Sequence, residues 1–265
     1  MMKGMAHMVF VENIIQCELN YTRQFSTEYE DENIIRFRNH EIRDMHSHNF
    51  TYIKKKEKEL KIRSLFEEEI AICKNERVKY CNLIINSDVH PRILSYIQHP
   101  SVLSINVFYK FDFSKLQSIK SIEGCRIEKV TTVEAFDDML TVDLDADEAI
   151  NGRDFCVRRC YGRSPIYLRD QGVEAYLCYH GDDLIGRCDL FISGDVAKIE
   201  DFSIIGKYQR LGYGSTILQS LIEKALDQNC KTVYLVTNGS DTAKYMYEKL
   251  GFDKIGEMSE IRFIL

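Results

Sequence analysis

The chain has 265 residues, of which 45% are hydrophobic and 29% charged, and its formal net charge is −6. That length accommodates one large or two ordinary domains, and the composition is that of a soluble globular protein. The negative balance argues against generic nucleic-acid binding, and the absence of a secretory leader or a run of about 20 apolar residues sets no membrane partner and a cytoplasmic location as the expectation. Nine cysteines are scattered, odd in number and free of any C-x-x-C pair, so no disulfide framework and no metal site is expected. The closest pair, Cys156 and Cys160, reads as one turn of helix.

In the N-terminal part, Ile34–Arg38 and Asn49–Ile53 read as strands. A charged helix is predicted from about Lys54 to Glu76, then a strand over Tyr80–Ile85, a helix over Pro91–Gln98 and a strand over Val102–Phe113. Lys54-Lys-Lys reads as a solvated helix start and not a phosphate patch. His46 and His48 flank Ser47 with no third ligand in view, which reads as a surface loop. Thirteen of the 14 glycines lie at or after Gly124. This shift in composition, with the polar run Ser114–Ser121, places a boundary near 115–124 and two domains at 1–120 and 124–265. Charge divides at the same place. Residues 1–123 carry 18 Lys/Arg and 17 Asp/Glu, and residues 124–265 carry 17 and 24. An acidic second half suits a cationic amine partner, or is simply an ordinary soluble surface.

The second part opens with a strand over Cys125–Val130. Thr131–Glu134 cap a helix to about Leu140, and 143–161 reads as partly helical. Strands over Glu174–His180 and Leu184–Ile192, joined by Gly181-Asp-Asp, lead through Ser193-Gly-Asp into a central strand, Val196–Ile205. Gly206 ends that strand. Gln209-Arg-Leu-Gly-Tyr-Gly214 makes a tight turn, and Ile217, Leu218, Leu221, Ile222, Ala225 and Leu226 recur at helical spacing over 215–229. A strand over 232–236 follows, then a helix over 241–250 capped by Ser240 or Asp241, then two short strands near 252–256 and 261–265.

The strand–glycine turn–helix stretch carries the chemistry. Two glycines two apart permit a sharp turn and let a ligand approach bare amides. Those amides lie at a helix N-terminus, which favours a phosphate. A Walker loop is excluded because Ser215-Thr216 follows Gly214 without a lysine, and a dinucleotide fingerprint because Ile217 stands where a third small residue is needed.

Two stretches in order, Gln209-x-x-Gly212-x-Gly214 and Ala243-x-x-x-Tyr247-Glu-Lys-Leu-Gly-Phe252, resemble the GNAT superfamily of acetyl-CoA-dependent N-acetyltransferases over about Cys125–Leu265. The resemblance implies an α/β (α+β) fold with a mixed, mostly antiparallel sheet flanked by helices. The N-terminal part is then a smaller α+β domain, or a degenerate second copy that lacks a glycine turn and binds no cofactor. It implies an acyltransferase in which an amine of a small molecule or protein attacks acetyl-CoA directly in a ternary complex. The alternative is an acyl-CoA-binding regulatory module without turnover. By resemblance the pyrophosphate lies on the amides of Leu211, Gly212, Tyr213, Gly214 and Ser215, with side-chain donors from Gln209 and Arg210. A main-chain N–H at Ile204 or Ile205 polarises the thioester carbonyl. Tyr247 matches the general-acid tyrosine, and Asn238 stands near the asparagine that opens the last motif. The base is sought at Glu200 or Asp201 on the central strand, with Glu200 retained. Gly206 replaces a common proline, and Ser240 the usual asparagine. The N-terminal part is left to shape the acceptor site or to mediate association, a homodimer included.

Overall fold

The computed structural model describes residues 2–54, 59–86, 89, 91–169 and 171–265, with backbone alone for 2–11 and 59–60. Lys55 and Lys56, of the lysine run singled out above, lie outside them. The chain divides into two compact units that interleave along the sequence. One comprises 1–24, 109–236 and 245–254; the other comprises 25–108, 237–244 and 255–265. The glycine distribution places one boundary instead, near 115–124. Among the described residues no helix is long and apolar enough to cross a membrane.

α1 (Met2–Phe25) opens the chain and packs in the first unit up to Gln24. Sequence reading assigned it no element. Its buried residues Ile14, Cys17 and Tyr21 follow a helical repeat. Cys17 Sγ donates to the Val196 carbonyl at 3.9 Å, and Asn20 donates to the Ser193 hydroxyl at 2.9 Å.

The second unit holds β1 (Thr27–Glu30), β2 (Ile34–Arg38), β3 (Thr51–Ile53), α2 (Glu59–Asn75), β4 (Tyr80–Ile85) and most of β5 (Ser101–Phe111). β1, β2 and β3 pair antiparallel in succession, and β3 runs parallel to β4. α2 lays Phe66, Ile70 and Cys73 on Leu83 and Phe263 to form the core. Pro91–Tyr96 is a 3₁₀ segment in place of the expected helix. His48 is buried at 1% exposure and stacks on Phe25 at 4.5 Å, so His46-Ser-His48 is a packed turn and not a surface loop.

In the first unit β6 (Cys125–Lys129), β7 (Val173–His180), β8 (Asp183–Ser193) and β9 (Val196–Ile204) pair antiparallel in order, and β10 (Thr232–Asn238) runs parallel to β9. α3 (Ala135–Asn151) and α4 (Arg153–Tyr167) stand between β6 and β7. The expected helix end near Leu140 is therefore wrong by three turns. Phe136, Met139, Val142 and Asp143 form its buried stripe, and Gly152, at φ +80°, turns the chain into α4. α5 (Tyr213–Asp227) buries Ile217, Leu218, Leu221, Ile222 and Ala225. α6 (Lys244–Leu250) is shorter than expected, because Asn238 and Asp241 hold the chain before it in turns: Ser240 N donates to Asn238 Oδ1 and Ala243 N to Asp241 Oδ1, each at 2.9 Å.

The two short final strands are one, β11 (Phe252–Ile264). Gly256 does not break it, since its φ is ordinary. Residues 255–264 belong to the second unit, where Ser259–Ile264 pair antiparallel with β4. Both units are thus mixed α/β with a predominantly antiparallel sheet, the fold class expected.

Candidate active site

β9 is the element on which the site is built. Its parallel pairing with β10 runs from Val196↔Thr232 to Ile199↔Leu235 and stops there, although β9 continues to Ile204. From Glu200 onward β9 keeps only its β8 partner, so one edge opens. On the β8 side, Asp189 faces Glu200 and Arg187 faces Ser203, so β9 carries one extra residue between them. Asp201 sits in that bulge at φ +48°.

The strand end is braced from several sides. Ile205 N donates to the Ile185 carbonyl at 2.9 Å. Of the two amides expected to face an acyl carbonyl, that of Ile205 is therefore engaged in the ladder. Ladder alternation turns the Ile204 amide the other way, toward the edge β10 has left. Gly206 N donates to Asp145 Oδ2 on α3 at 2.7 Å, and Gln209 Nε2 donates to the Ile204 carbonyl at 3.0 Å. Gln209 thus holds the loop's own backbone, where an anion contact was expected of it.

The glycine turn follows. Arg210 is exposed at φ +60°, and Leu211 is exposed. Gly212 is the N-cap of α5 at φ +100°, a conformation that suits glycine alone. Gly214 is needed for a different reason. A Cβ there would lie 3.2 Å from the Phe202 ring and 3.2 Å from Met246 Sδ. Both glycines are fixed by the turn itself, and the absence of Cβ atoms also leaves the helix start open. Ser215 N already donates to the Gly212 carbonyl at 3.1 Å. The remaining orphan donors of the helix start are the amides of Gly212, Tyr213 and Gly214, with the macrodipole behind them. Tyr213 shares a 2.7 Å hydrogen bond with His180 Nδ1, and Ile122 N donates to Thr216 Oγ1 at 2.9 Å.

Tyr247 lies on α6, 7% exposed, with its ring 6.4 Å from that of Tyr109 and 6.0 Å from that of Phe252. Its neighbour Met246 is the residue against Gly214, so α6 abuts the turn. Asn238 belongs to the second unit, where its carboxamide oxygen accepts from Ser240 N and Oγ.

Glu200 pairs with Lys198 Nζ at 2.8 Å, with its side chain 31% exposed. Lys198 also donates to Glu18 on α1 and lies 4.5 Å from the Tyr21 ring centre. Burial raises the Glu200 pKa and Lys198 opposes the rise without cancelling it. Burial works against the charge of Lys198, but Glu18 and Glu200 outweigh it and hold that pKa above the usual lysine value.

Asp201 is different. Burial works to raise its pKa, but Arg163, Arg187 and Arg159 together hold it far below the carboxylate range. Arg163 and Arg187 are themselves 1% and 2% exposed. Arg163 bonds Asp201, Asp189 at 3.0 Å and Tyr21 at 2.8 Å. Arg187 bonds Asp143 and Asp189, each at 2.8 Å. Sequence reading missed these arginines, Asp145 and Phe202. The one visible signal is Asp143-x-Asp145-x-Asp147, in which helical spacing sets Asp143 and Asp147 on one face, where both meet Arg159, and Asp145 on the other.

A sheet that splays at its central strand, beside a glycine turn opening a helix, is the architecture of the GCN5-related acetyltransferases. Residues 140–252 match the model of the acetyltransferase (GNAT) family. The chain is 28% identical over 145 residues to the uncharacterized N-acetyltransferase CgeE of Bacillus subtilis, covering 53% of this chain and 56% of that protein. It is 31% identical over 91 residues to the [ribosomal protein bS18]-alanine N-acetyltransferase of Haemophilus influenzae, covering 33% of this chain and 62% of that one. Each match thus spans less than two thirds of the relative's length. The fold resembles the solved structure of a GCN5-related N-acetyltransferase from Kribbella flavida, with a TM-score of 0.71 at 13% identity over 95% of this chain and 94% of that one.

Proposed function

We propose that the protein is an N-acetyltransferase that passes the acetyl group of acetyl-CoA to a primary amine by direct attack in a ternary complex. The observation that carries this reading is the parting of β9 from β10 beyond Ile199↔Leu235, directly before a glycine-capped helix start. The splay supplies an edge donor for a carbonyl, and the helix start supplies amides for an anion.

The residues present fit acetyl-CoA. At the turn, Gly212 and Gly214 leave main-chain donors uncovered by Cβ atoms, and the amides of Gly212, Tyr213 and Gly214 face the pyrophosphate. Leu211 and Arg210 flank it from solvent. The Ile204 amide donates to the thioester carbonyl and to the negative charge that grows there, which can be the largest single catalytic contribution. The amine nitrogen forms a bond to the carbonyl carbon, the carbon–sulfur bond breaks, and the thiolate leaves. Tyr247 donates its phenolic proton to that sulfur and is reprotonated by the second proton, which the attacking nitrogen sheds as the amide forms. Glu200, a raised carboxylate with part of its side chain in solvent, takes the proton that the ammonium must lose before attack.

The acceptor is an amine borne by a small molecule or a protein. The bS18-alanine relative makes a peptide with a free N-terminal alanine a sensible member of a panel beside small amines. Calorimetry with acetyl-CoA comes first, then release of free thiol across the panel. Binding with acceptor-dependent thiol release is the expected result. Binding with no release from any amine would replace this reading with that of a regulatory acyl-CoA-binding module. No binding would overturn both.

A further inference from the structure

The bulge in β9 decides which amide faces the open edge, and the register shows how. Before the bulge Asp189 pairs with Glu200; continued without interruption, that register would set Ile185 opposite Ile204. After it Arg187 pairs with Ser203, which sets Ile185 opposite Ile205, and Ile205 N does donate to the Ile185 carbonyl at 2.9 Å. The one inserted residue therefore frees the Ile204 amide from β8. In a regular ladder that amide would be spent on Ile185 and its neighbours would face outward instead. The same insertion carries Phe202 to the opposite face from Glu200, where its ring meets Gly214.

This bulge is held at a cost. Asp201, a residue with a Cβ, occupies the left-handed region at φ +48°, which sterics disfavour for such a residue. Such a conformation persists only where its surroundings over-determine it. Here the surroundings are two buried guanidinium groups. Arg163 Nη1 bonds Asp201 Oδ2, and Arg187 Nη2 lies 3.6 Å from the same oxygen. Neither arginine is free to follow a shifted strand. Arg163 is fixed by Asp189 and Tyr21, and Arg187 by Asp189 and Asp143.

We propose that Asp201 is a positioning residue for acyl transfer: clamped by Arg163 and Arg187, it holds the bulge that turns the Ile204 amide out of the β8–β9 ladder and toward the acyl carbonyl. The proposal rests on the acetyltransferase reading above. It assigns to Asp201 the placement of a main-chain donor and no proton transfer.

The test uses the full chain and needs no acceptor for its main readout. Isotope-edited infrared spectra of acetyl-CoA carrying ¹³C at the thioester carbonyl report donation to that oxygen, because a hydrogen bond lowers the stretching frequency. Wild type is expected to lower it, and Asp201→Ala to lose most of that shift while binding acetyl-CoA within about threefold of wild type. Where turnover is measured, kcat falls on the order of 10²-fold, the scale of a lost oxyanion donor, with KM for acetyl-CoA held. Asp201→Asn, which tolerates the left-handed region and keeps an acceptor for the arginines, restores part of both. Amide hydrogen exchange gives a cofactor-free check. Ile204 exchanges fast and Ile205 slowly in wild type, and Asp201→Ala reverses the order. Should Asp201→Ala not fold, Asp201→Gly removes the clamp while accepting the φ. A folded variant with the wild-type carbonyl shift and the wild-type exchange order overturns the proposal. Failure of wild type to bind acetyl-CoA overturns the acetyltransferase reading instead, and the exchange data still report whether Asp201 sets the register.

Discussion

Gly186→Ala tests the strand geometry directly. A Cβ at Gly186 would lie 2.3 Å from the Ser203 carbonyl oxygen, 3.0 Å from Ile204 Cδ1 and 3.1 Å from Ile204 Cα. The Ile204 side chain can turn away, but the oxygen and Cα belong to the main chain. β8 and β9 must therefore part by roughly 0.7 Å beside the bulge, an overpacking strain of about 1–3 kcal/mol. The neighbouring bond from Ile205 N to Ile185 O stretches with it, adding about 1 kcal/mol. The expected destabilisation is about 3 kcal/mol, or about 6–12 °C in Tm for a chain of this size. Gly256→Ala is the control, because a Cβ there meets nothing within 4 Å, and its stability should stay within about 0.5 kcal/mol of wild type. Thermal unfolding of both variants is the assay. A Gly186→Ala protein that melts with wild type would mean that the strands do not approach as described. Its kcat should also fall with KM for acetyl-CoA held, since the displaced segment carries the Ile204 amide.

Three further outcomes follow from the same geometry. Gly212→Asp sets a carboxylate among the helix-start amides and forces a side chain into φ +100°, so acetyl-CoA affinity should drop at least tenfold by calorimetry; unchanged affinity would remove the turn from the binding site. Tyr247→Phe should lower kcat by roughly 10²–10⁴-fold and leave acetyl-CoA affinity unchanged, whereas a normal kcat would make the tyrosine a packing residue and weakened binding would make its hydroxyl a cofactor contact. His46 lies in the second unit, where burial lowers its pKa to about 4. The unfolded chain protonates this imidazole near pH 6.5 and the folded chain does not, so stability falls as pH drops from about 6.5 toward 4. Denaturation of His46→Gln and wild type across that window should show their gap narrowing with acid, and parallel curves would refute the assignment.

What sequence reading captured was what local pattern encodes. β2, β4, β7, β8 and β9 follow from alternation between turn residues, and α5 from the repeat Ile217–Leu226. The turn was found because Gly212 and Gly214 have no other common use in that context. The misses have physical causes. α3 was cut short because five Asp in 137–147 dilute a stripe that includes Asp143 itself, a carboxylate buried by Arg187. β11 was split because Gly256 resembles a break and is not one. Arg163 and Arg187 carry no local signal in the sequence, since nothing near them says that Asp189 and Asp201 will be brought to them. The bulge is the deepest case: a positive φ at an aspartate has no sequence sign, and yet it determines which amide is free.

The family match spans 140–252, but the floor beneath β9 is completed by α1. Glu18 accepts from Lys198 Nζ at 2.8 Å and from the Tyr234 hydroxyl at 2.7 Å, and the Tyr21 hydroxyl accepts from Arg163 at 2.8 Å. Lys198 is the cation beside Glu200, and Arg163 is the clamp on Asp201. Removing Glu18 would leave Lys198 with Glu200 as its one remaining carboxylate, strengthening that pair and lowering the Glu200 pKa, which works against a base. Removing Tyr21 would leave a buried guanidinium one acceptor short, a loss of about 1–3 kcal/mol. A helix at the far end of the sequence from the glycine turn therefore governs both acidic residues of the central strand. Its place in the same compact unit is held by those three polar contacts as well as by its apolar face.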